Sequence, residues 1–367
     1  MFEMIIRNGT IIDGTGRDRY VADIGINDGK IVKIGEIKES SKNIIDAENK
    51  LVTPGWVDVH THYDGQATWD PILAPSSWHG VTTVVMGNCG VGFAPVKPKD
   101  REFLIELMEG VEDIPGAALS EGINWQWESF PEYLDALESF PRAIDVATQV
   151  PHGAIRAYVM GERCNSDYAP TKEEVNQMAE LVREGVEAGA LGFSSSKTLL
   201  HKDIKGEYMP GTFSGNEEML ALGLGMKGLN NSVFELVSDH LGEDEEWQWV
   251  KDFQKQTGLT VTLIATTAPA YKNNKMYNLA EQARIEGYEI RPQAAGRPTG
   301  VLHGLQSSFH VFVGHPTWRQ ELASLNHEEL VARLRDPATK KKILSEETTI
   351  KNELLQDIPS LMAQVFP

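Results

Sequence analysis

The sequence has little cysteine and little positive charge. Two cysteines, Cys89 and Cys164, in 367 residues cannot build a disulfide framework. Against 53 Asp and Glu stand 34 Lys and Arg, a formal net charge of −19. That excess repels phosphate backbones and anionic lipid, so neither nucleic acid nor a membrane surface is an expected partner. Long apolar runs are missing as well: stretches such as Val81–Met86 fall far short of the roughly 20 residues a membrane span needs. Met1–Gly9 carries Glu3 and has neither a basic region nor an apolar core, so no secretion signal is read there. A reducing, cytoplasmic location is the expectation. What is present is an apolar share of 41% with 24% charged residues, a composition that supports a sizeable core.

The first fifty residues are strand-rich. Met4–Arg7, Thr10–Asp13, Ala22–Asn27, Lys30–Gly35 and Ile44–Asp46 are β-branched runs punctuated by Asn8-Gly9, Asp13-Gly14, Gly16 and Asp28-Gly29. Asn27-Asp28-Gly29 between two apolar runs predicts a tight hairpin, whose centre needs positive φ. From Leu51 onward strands alternate with helices. Apolar runs fall at Trp56–Val59, Thr82–Met86, Ile144–Gln149, Ala190–Ser194, Ser232–Val237, Leu259–Ile264 and Tyr288–Arg291. Between them, Thr171-Lys-Glu-Glu174 is a capping box opening a helix that Gly189 closes. Glu243–Gln256 and Met276–Gly287 also read as helices. Repeated strand–helix–strand units imply parallel pairing. Seven such strands favour an α/β fold of the (β/α)8 TIM-barrel type, with its site at the strand C-termini.

The predicted organisation is a small β module over residues 1–52, a barrel over 53–317 and a charged helical segment over 318–367. The acidic stretch Arg101–Phe140, with Trp125, Trp127 and Phe130, is too long for a simple crossover and predicts an excursion over the barrel mouth.

The sharpest chemical signal is Leu51-Val-Thr-Pro-Gly-Trp-Val-Asp-Val-His-Thr-His62. Strand side chains alternate, so His60 and His62 share a face at the end of the first barrel strand. Two neutral imidazoles so placed can share one metal ion, with Zn²⁺ the commonest occupant. The competing reading has one histidine simply bonding a loop. The Pro-Gly entry and the strand context favour the metal.

The run Thr53-Pro-Gly-Trp-Val-Asp-Val-His-Thr-His62, after Ile-Arg-Asn-Gly-Thr-Ile-Ile-Asp-Gly-Thr-Gly16, resembles the amidohydrolase superfamily. Within it the sequence is most similar to the N-acyl-D-amino-acid deacylase (D-aminoacylase) branch. Gly80-Val-Thr-Thr-Val-Val-Met-Gly-Asn-Cys-Gly90, Val150-Pro-His-Gly-Ala-Ile-Arg-Ala-Tyr-Val-Met-Gly161 and Glu187-Ala-Gly-Ala-Leu-Gly-Phe-Ser-Ser195 carry the same resemblance. It implies a small β-sandwich whose N-terminal part is residues 1–52. It also implies a metal-bound Cys89 beside His60 and His62, where a thiolate is a strong zinc ligand. The alternative for Cys89 is a small buried thiol packing under Gly87 and Gly90. Cys164 has no such context and is read as a loop residue.

Several positions depart from the family pattern. Histidines implied on strands five and six are missing. Strand six has none, and Glu235, Asp239 or His240 could stand in on strand five, although a solvated loop is the favoured reading. Lys197 invites comparison with the carboxylated bridging lysine of other amidohydrolases, but an ordinary surface lysine is favoured. On strand seven, Arg291 and Arg297 either hold a substrate carboxylate through paired hydrogen bonds or offset an acidic surface. His152 and Arg156 read as structural. The implied eighth strand with its proton-relaying aspartate is not found, so the barrel is expected to be incomplete at its C-terminal end and the chain to be a fragment, with no catalytic residue assigned. The resemblance implies hydrolysis of a C–N amide bond with Zn²⁺, on an N-acyl-D-amino acid or related small amide; a homo-oligomer is compatible with it. Two alternatives stay open: an amidohydrolase of cyclic amides or a deaminase, and a non-catalytic relative.

Overall fold

Asn27-Asp28-Gly29 turns the chain as its residue types require. Asp28 and Gly29 lie at φ 50° and 67°, and they join Tyr20–Asn27 to Lys30–Gly35 through the pair Asn27 and Lys30. The computed structural model describes residues 1–165, 168–229, 232–265, 275–294, 304–305 and 310–349. Contacts divide the chain into two compact units, Met1–Asp58 with Ala74–Thr83, and Val59–Leu73 with Val84–Pro367.

The first unit holds a five-stranded sheet. Phe2–Ile11 (β1) is its centre, Tyr20–Asn27 (β2) and Lys30–Gly35 (β3) follow antiparallel, and Ser41–Asp46 (β4) and Leu51–Val52 (β5) pair with β1 in parallel. The sequence suggests two runs where the structure has one strand. Asn8, at φ 58°, forms a bulge within β1 rather than a break. Its N–H donates to Asp23 Oδ1 at 3.0 Å and its side-chain amide to Asp46 Oδ1 at 3.2 Å.

Seven further segments match the apolar runs to within a few residues. Trp56–Asp58 (β6), Val81–Met86 (β7) and Asp145–Thr148 (β8) form a three-stranded sheet. At Gln149 the chain steps into a second sheet through Val150–Pro151 (β9). Gly192–Lys197 (β10), Val233–Ser238 (β11), Thr260–Ile264 (β12) and Ile290–Gln293 (β13) continue it, every neighbour parallel. Among the described residues β13 is the last strand.

The region after β7 is helical: Arg101–Glu112 (α1), Gly116–Gly122 (α2) and Phe130–Ser139 (α3), the last opened by a Ser129/Glu132 capping box. His152–Met160 (α4) and Lys172–Ala188 (α5) precede β10, and Asn216–Gly225 (α6) precedes β11. Asp244–Thr257 (α7) precedes β12, and Lys275–Ile285 (α8) precedes β13. The Thr171/Glu174 capping box and the Gly189 stop of α5 are both in place.

Alternation along the strands decides what faces the helices and what faces inward. Phe193 of β10 stacks on Phe234 of β11 with centroids 4.5 Å apart, and Phe234 meets Phe253 of α7 at 4.6 Å. These rings and Leu236 form the helix-side core. Their neighbours Ser194, Ser196 and Glu235 therefore project to the opposite face.

After β13 come a π-helical turn at Trp318–Leu322, His327–Arg335 (α9) and Pro337–Leu344 (α10). Trp318, Leu322, Leu330 and Ile343 form their shared core. Among the described residues no helix is long and apolar enough to cross a membrane.

Candidate metal centre

His60 and His62 follow β6, and the backbone between them is fixed from both sides. Thr61 donates its N–H and its hydroxyl to Val85 O at 2.9 and 2.8 Å. Asn88, fully buried, donates to Thr61 O at 3.2 Å and Val85 O at 3.0 Å, and accepts from Gln149 Nε2 at 2.8 Å. One side chain thus ties the histidine loop, the end of β7 and the step into β9 together. The loop it belongs to needs unusual backbone angles. Gly87 sits at φ 71°, and a Cβ there would lie 2.2 Å from Gln149 O. Cys89 itself lies at φ 56°, a conformation that costs a non-glycine residue energy and persists where its surroundings enforce it. Its N–H donates to Glu235 Oε2 at 2.9 Å, and the next N–H, of Gly90, donates to Ser194 Oγ at 2.9 Å.

These constraints bring the two histidines and the cysteine together. Cys89 Sγ lies 3.2 Å from His60 Nε2, and the His60 and His62 rings are 5.2 Å apart at 67°. The donor atoms of His60, His62 and Cys89 all fall within 4.8 Å of one another. His60 Nδ1 donates to Gln293 Oε1 at 2.7 Å, which leaves Nε2 with its lone pair on the sulfur side. Bond lengths of about 2.3 Å to sulfur and 2.0–2.1 Å to nitrogen put tetrahedral zinc ligands about 3.5 Å apart, so the observed spacing suits one ion.

Three more residues converge here, of which the sequence reading weighs only Glu235, as a stand-in on strand five. Glu112, the last residue of α1, reaches His62 Nε2 at 3.3 Å. His201, in the loop after β10, forms with Cys89 and Glu112 a second group of donors within 4.8 Å. Glu235, read from sequence as part of a solvated loop, is fully buried, with Oε1 4.0 Å from His60 Nδ1. Phe234 and Leu236 turn toward the helices, and strand alternation then forces Glu235 inward.

Burial dominates the electrostatics. It pushes the Asp64 and Glu235 carboxyls up to about 8 and raises Glu112 and the Cys89 thiol. It also lowers the His62 and His201 imidazoles to about 4. Glu235 Oε1, Asp64 Oδ2 and His62 Nδ1 are buried without a hydrogen-bond partner among the described residues. Such orphaned acceptors beside a thiol and imidazoles fit a bound cation, which would restore the charged carboxylate and thiolate forms.

Other expected residues lie elsewhere. Arg291 is exposed and pairs with Glu289 at 2.7 Å, two positions before the Gln293 that reaches His60; the structure does not bring it to the cluster. Arg297 lies outside the described residues. Lys197 is not a plain surface lysine. It turns to the helix side, contacts Asn216 and Glu246 and stacks over Trp249, which also removes it from any bridging position. Asp239 accepts from Thr198 and Leu199, and His240 is exposed beside Glu243. His152 and Arg156 are buried around Glu218, at 3.0 and 2.5 Å, a structural network. Cys164 is not a free loop residue: it is buried in a 3₁₀ turn against Ala157 and Met160.

The chain is 33% identical to the D-aminoacylase of Alcaligenes xylosoxydans xylosoxydans over 195 residues, 53% of this chain and 37% of that enzyme. It is 34% identical to an uncharacterized protein of Mycobacterium tuberculosis over 224 residues, 58% of this chain and 36% of that protein. The chain therefore spans little more than a third of the length of these curated relatives. In structure it superposes on the N-acyl-D-glutamate deacylase of Bordetella bronchiseptica, solved with zinc and a phosphonate inhibitor, with a TM-score of 0.64. That match has 27% identity and covers 81% of this chain and 59% of that one. The model of the amidohydrolase family matches residues 43–346, a span that includes the histidine pair, Cys89 and strands β6–β13, and the chain belongs to that family.

Proposed function

We propose that this chain carries the metal-binding core of a hydrolase that cleaves C–N amide bonds, with N-acyl-D-amino acids as its substrate class. The carrying observation is the 3.2 Å approach of Cys89 Sγ to His60 Nε2, with His62 in the same cluster. His60, His62 and Cys89 are the ligands in this reading, and their mixed nitrogen and sulfur donors suit Zn²⁺. When bound, the ion supplies the Lewis acidity that polarises a scissile carbonyl. The chain's own contribution is positioning. Gln293 fixes the His60 ring through Nδ1, Glu235 holds the Cys89 backbone, and Asn88 locks the two loops together. The substrate class is supported by likeness to the D-aminoacylase and to the N-acyl-D-glutamate deacylase.

Release of free amino acid from N-acetyl-D-amino acids is the direct test, run beside their L enantiomers, hydantoins and dihydropyrimidines. Zinc-dependent turnover of the D series, lost in Cys89→Ala, is the expected result. Turnover confined to the cyclic amides would move the substrate class. Zinc-independent turnover would overturn the proposal.

A further inference from the structure

Three consecutive serines of β10, Ser194, Ser195 and Ser196, are fully buried, and each hydroxyl has a different partner. Ser196 Oγ meets His201 Nδ1 at 2.9 Å, and Ser195 Oγ meets His152 Nδ1 of α4 at 2.8 Å. Ser194 turns instead to the loop that carries Cys89. Its hydroxyl donates to Gly87 O at 2.5 Å and accepts from Gly90 N at 2.9 Å. We propose that Ser194 is a positioning residue of the metal centre: its hydroxyl, inserted between the two ends of the Gly87–Gly90 turn, aims the Cys89 sulfur at the histidine pair. This rests on the ligand set proposed above.

The turn itself supplies the argument. In a tight turn of four residues the last N–H commonly bonds straight to the first carbonyl. Here the Gly90 N–H reaches the Ser194 hydroxyl, and that hydroxyl reaches the Gly87 carbonyl. A hydroxyl can donate and accept at once, so it widens the turn and leaves neither backbone group unpaired. The turn is also demanding. Gly87, Cys89 and Gly90 lie at φ 71°, 56° and 72°, and of these three only the cysteine has a side chain to strain.

The surroundings leave the turn little freedom. A Cβ on Gly90 would lie 3.3 Å from Ser195 Cα and 2.8 Å from Met209 Cε, and Gly90 O accepts from Gly153 N at 2.9 Å. The Cys89 N–H is taken by Glu235 Oε2 at 2.9 Å. Without the Ser194 hydroxyl, Gly87 O and Gly90 N either bond directly, which closes the turn, or stay buried and unpaired, which is costly. Each outcome rotates Cys89, whose Sγ now stands 3.2 Å from His60 Nε2.

The test pairs Ser194→Ala with Ser195→Ala, the same change at adjacent and equally buried positions of the full chain. Both are expected to lower the urea midpoint of the metal-free protein. Only Ser194→Ala is expected to lower zinc affinity, by about 10- to 100-fold in competition with a chromophoric chelator. Only Ser194→Ala is expected to weaken and shift the sulfur-to-cobalt charge-transfer band of the cobalt-loaded chain, recorded without oxygen. Ser194→Thr keeps the hydroxyl and is expected to retain the band. It carries the test if Ser194→Ala does not fold, since a folded Ser194→Thr lacking the band overturns the proposal. Wild-type affinity and band in Ser194→Ala overturn the role of Ser194 and leave the ligand set intact. Equal losses of affinity in the two alanine variants do the same, because a general loosening of β10 would then explain both. A wild-type chain that binds cobalt without a sulfur band overturns the ligand set, and the positioning role with it.

Discussion

Asn88→Ala removes three hydrogen bonds without touching a proposed ligand. The side chain is fully buried, donates to Thr61 O and Val85 O and accepts from Gln149 Nε2. Each buried bond contributes about 1 kcal/mol net, so the bonds alone amount to about 3 kcal/mol. Val85 O keeps its bonds from Thr61, but Gln149 Nε2 loses its acceptor in a side chain whose Oε1 is already unpartnered. That orphaned donor adds about 1–2 kcal/mol. The total expected loss is therefore about 4–5 kcal/mol in metal-free protein, measured by urea unfolding after chelator treatment. Because the same bonds fix the histidine loop against the cysteine loop, zinc affinity is expected to fall by about 10- to 100-fold as well, read by competition with a chromophoric chelator. A loss under about 1 kcal/mol with unchanged zinc affinity would refute the claim that Asn88 couples the two loops.

Other perturbations test separate parts of the account. Burial opposes ionisation of Glu218, yet His152 and Arg156 hold it down at about 2 from its ordinary 4.5; its contribution to stability is therefore in place above about pH 4.5 and is lost as pH falls toward 2. Glu218→Gln is accordingly expected to destabilise strongly at pH 7 and progressively less below pH 4.5, and a pH-independent difference in urea midpoints would contradict this. Gly87→Ala forces a side chain to φ 71° and against the Gln149 carbonyl; the expected outcome is loss of soluble folded protein or a drop of more than about 3 kcal/mol, and near-native stability would refute the packing there. Arg291→Ala removes an exposed pair worth at most about 1 kcal/mol, and KM for an N-acyl-D-amino acid is expected to stay unchanged; a large rise would restore Arg291 to the substrate site.

The sequence carried the fold and half of the cluster for physical reasons that can be named. β7, β11 and β12 are short runs rich in β-branched residues and so stood out, and the His60–His62 alternation followed from strand geometry alone. Glu235 is legible only once Phe234 and Leu236 are known to face the helices, because inward and outward faces are assigned by packing. Glu112 and His201 were not legible at all. One ends a helix and the other sits in a loop, and only the close contact at Gly110 brings them to Cys89. Asn8-Gly9 misled in the other direction: the pair looks like a turn, but Asp23 and Asp46 stabilise it as a bulge inside a continuous strand.

The central claim is that the sulfur at position 89 and the imidazoles at 60 and 62 bind one cation. Zinc K-edge X-ray absorption of the chain loaded with one equivalent tests it most directly. The account expects a sulfur scatterer at about 2.3 Å with imidazole nitrogens at about 2.0–2.1 Å, and loss of the sulfur shell in Cys89→Ser. A coordination sphere of nitrogen and oxygen alone, unchanged by that substitution, would contradict it.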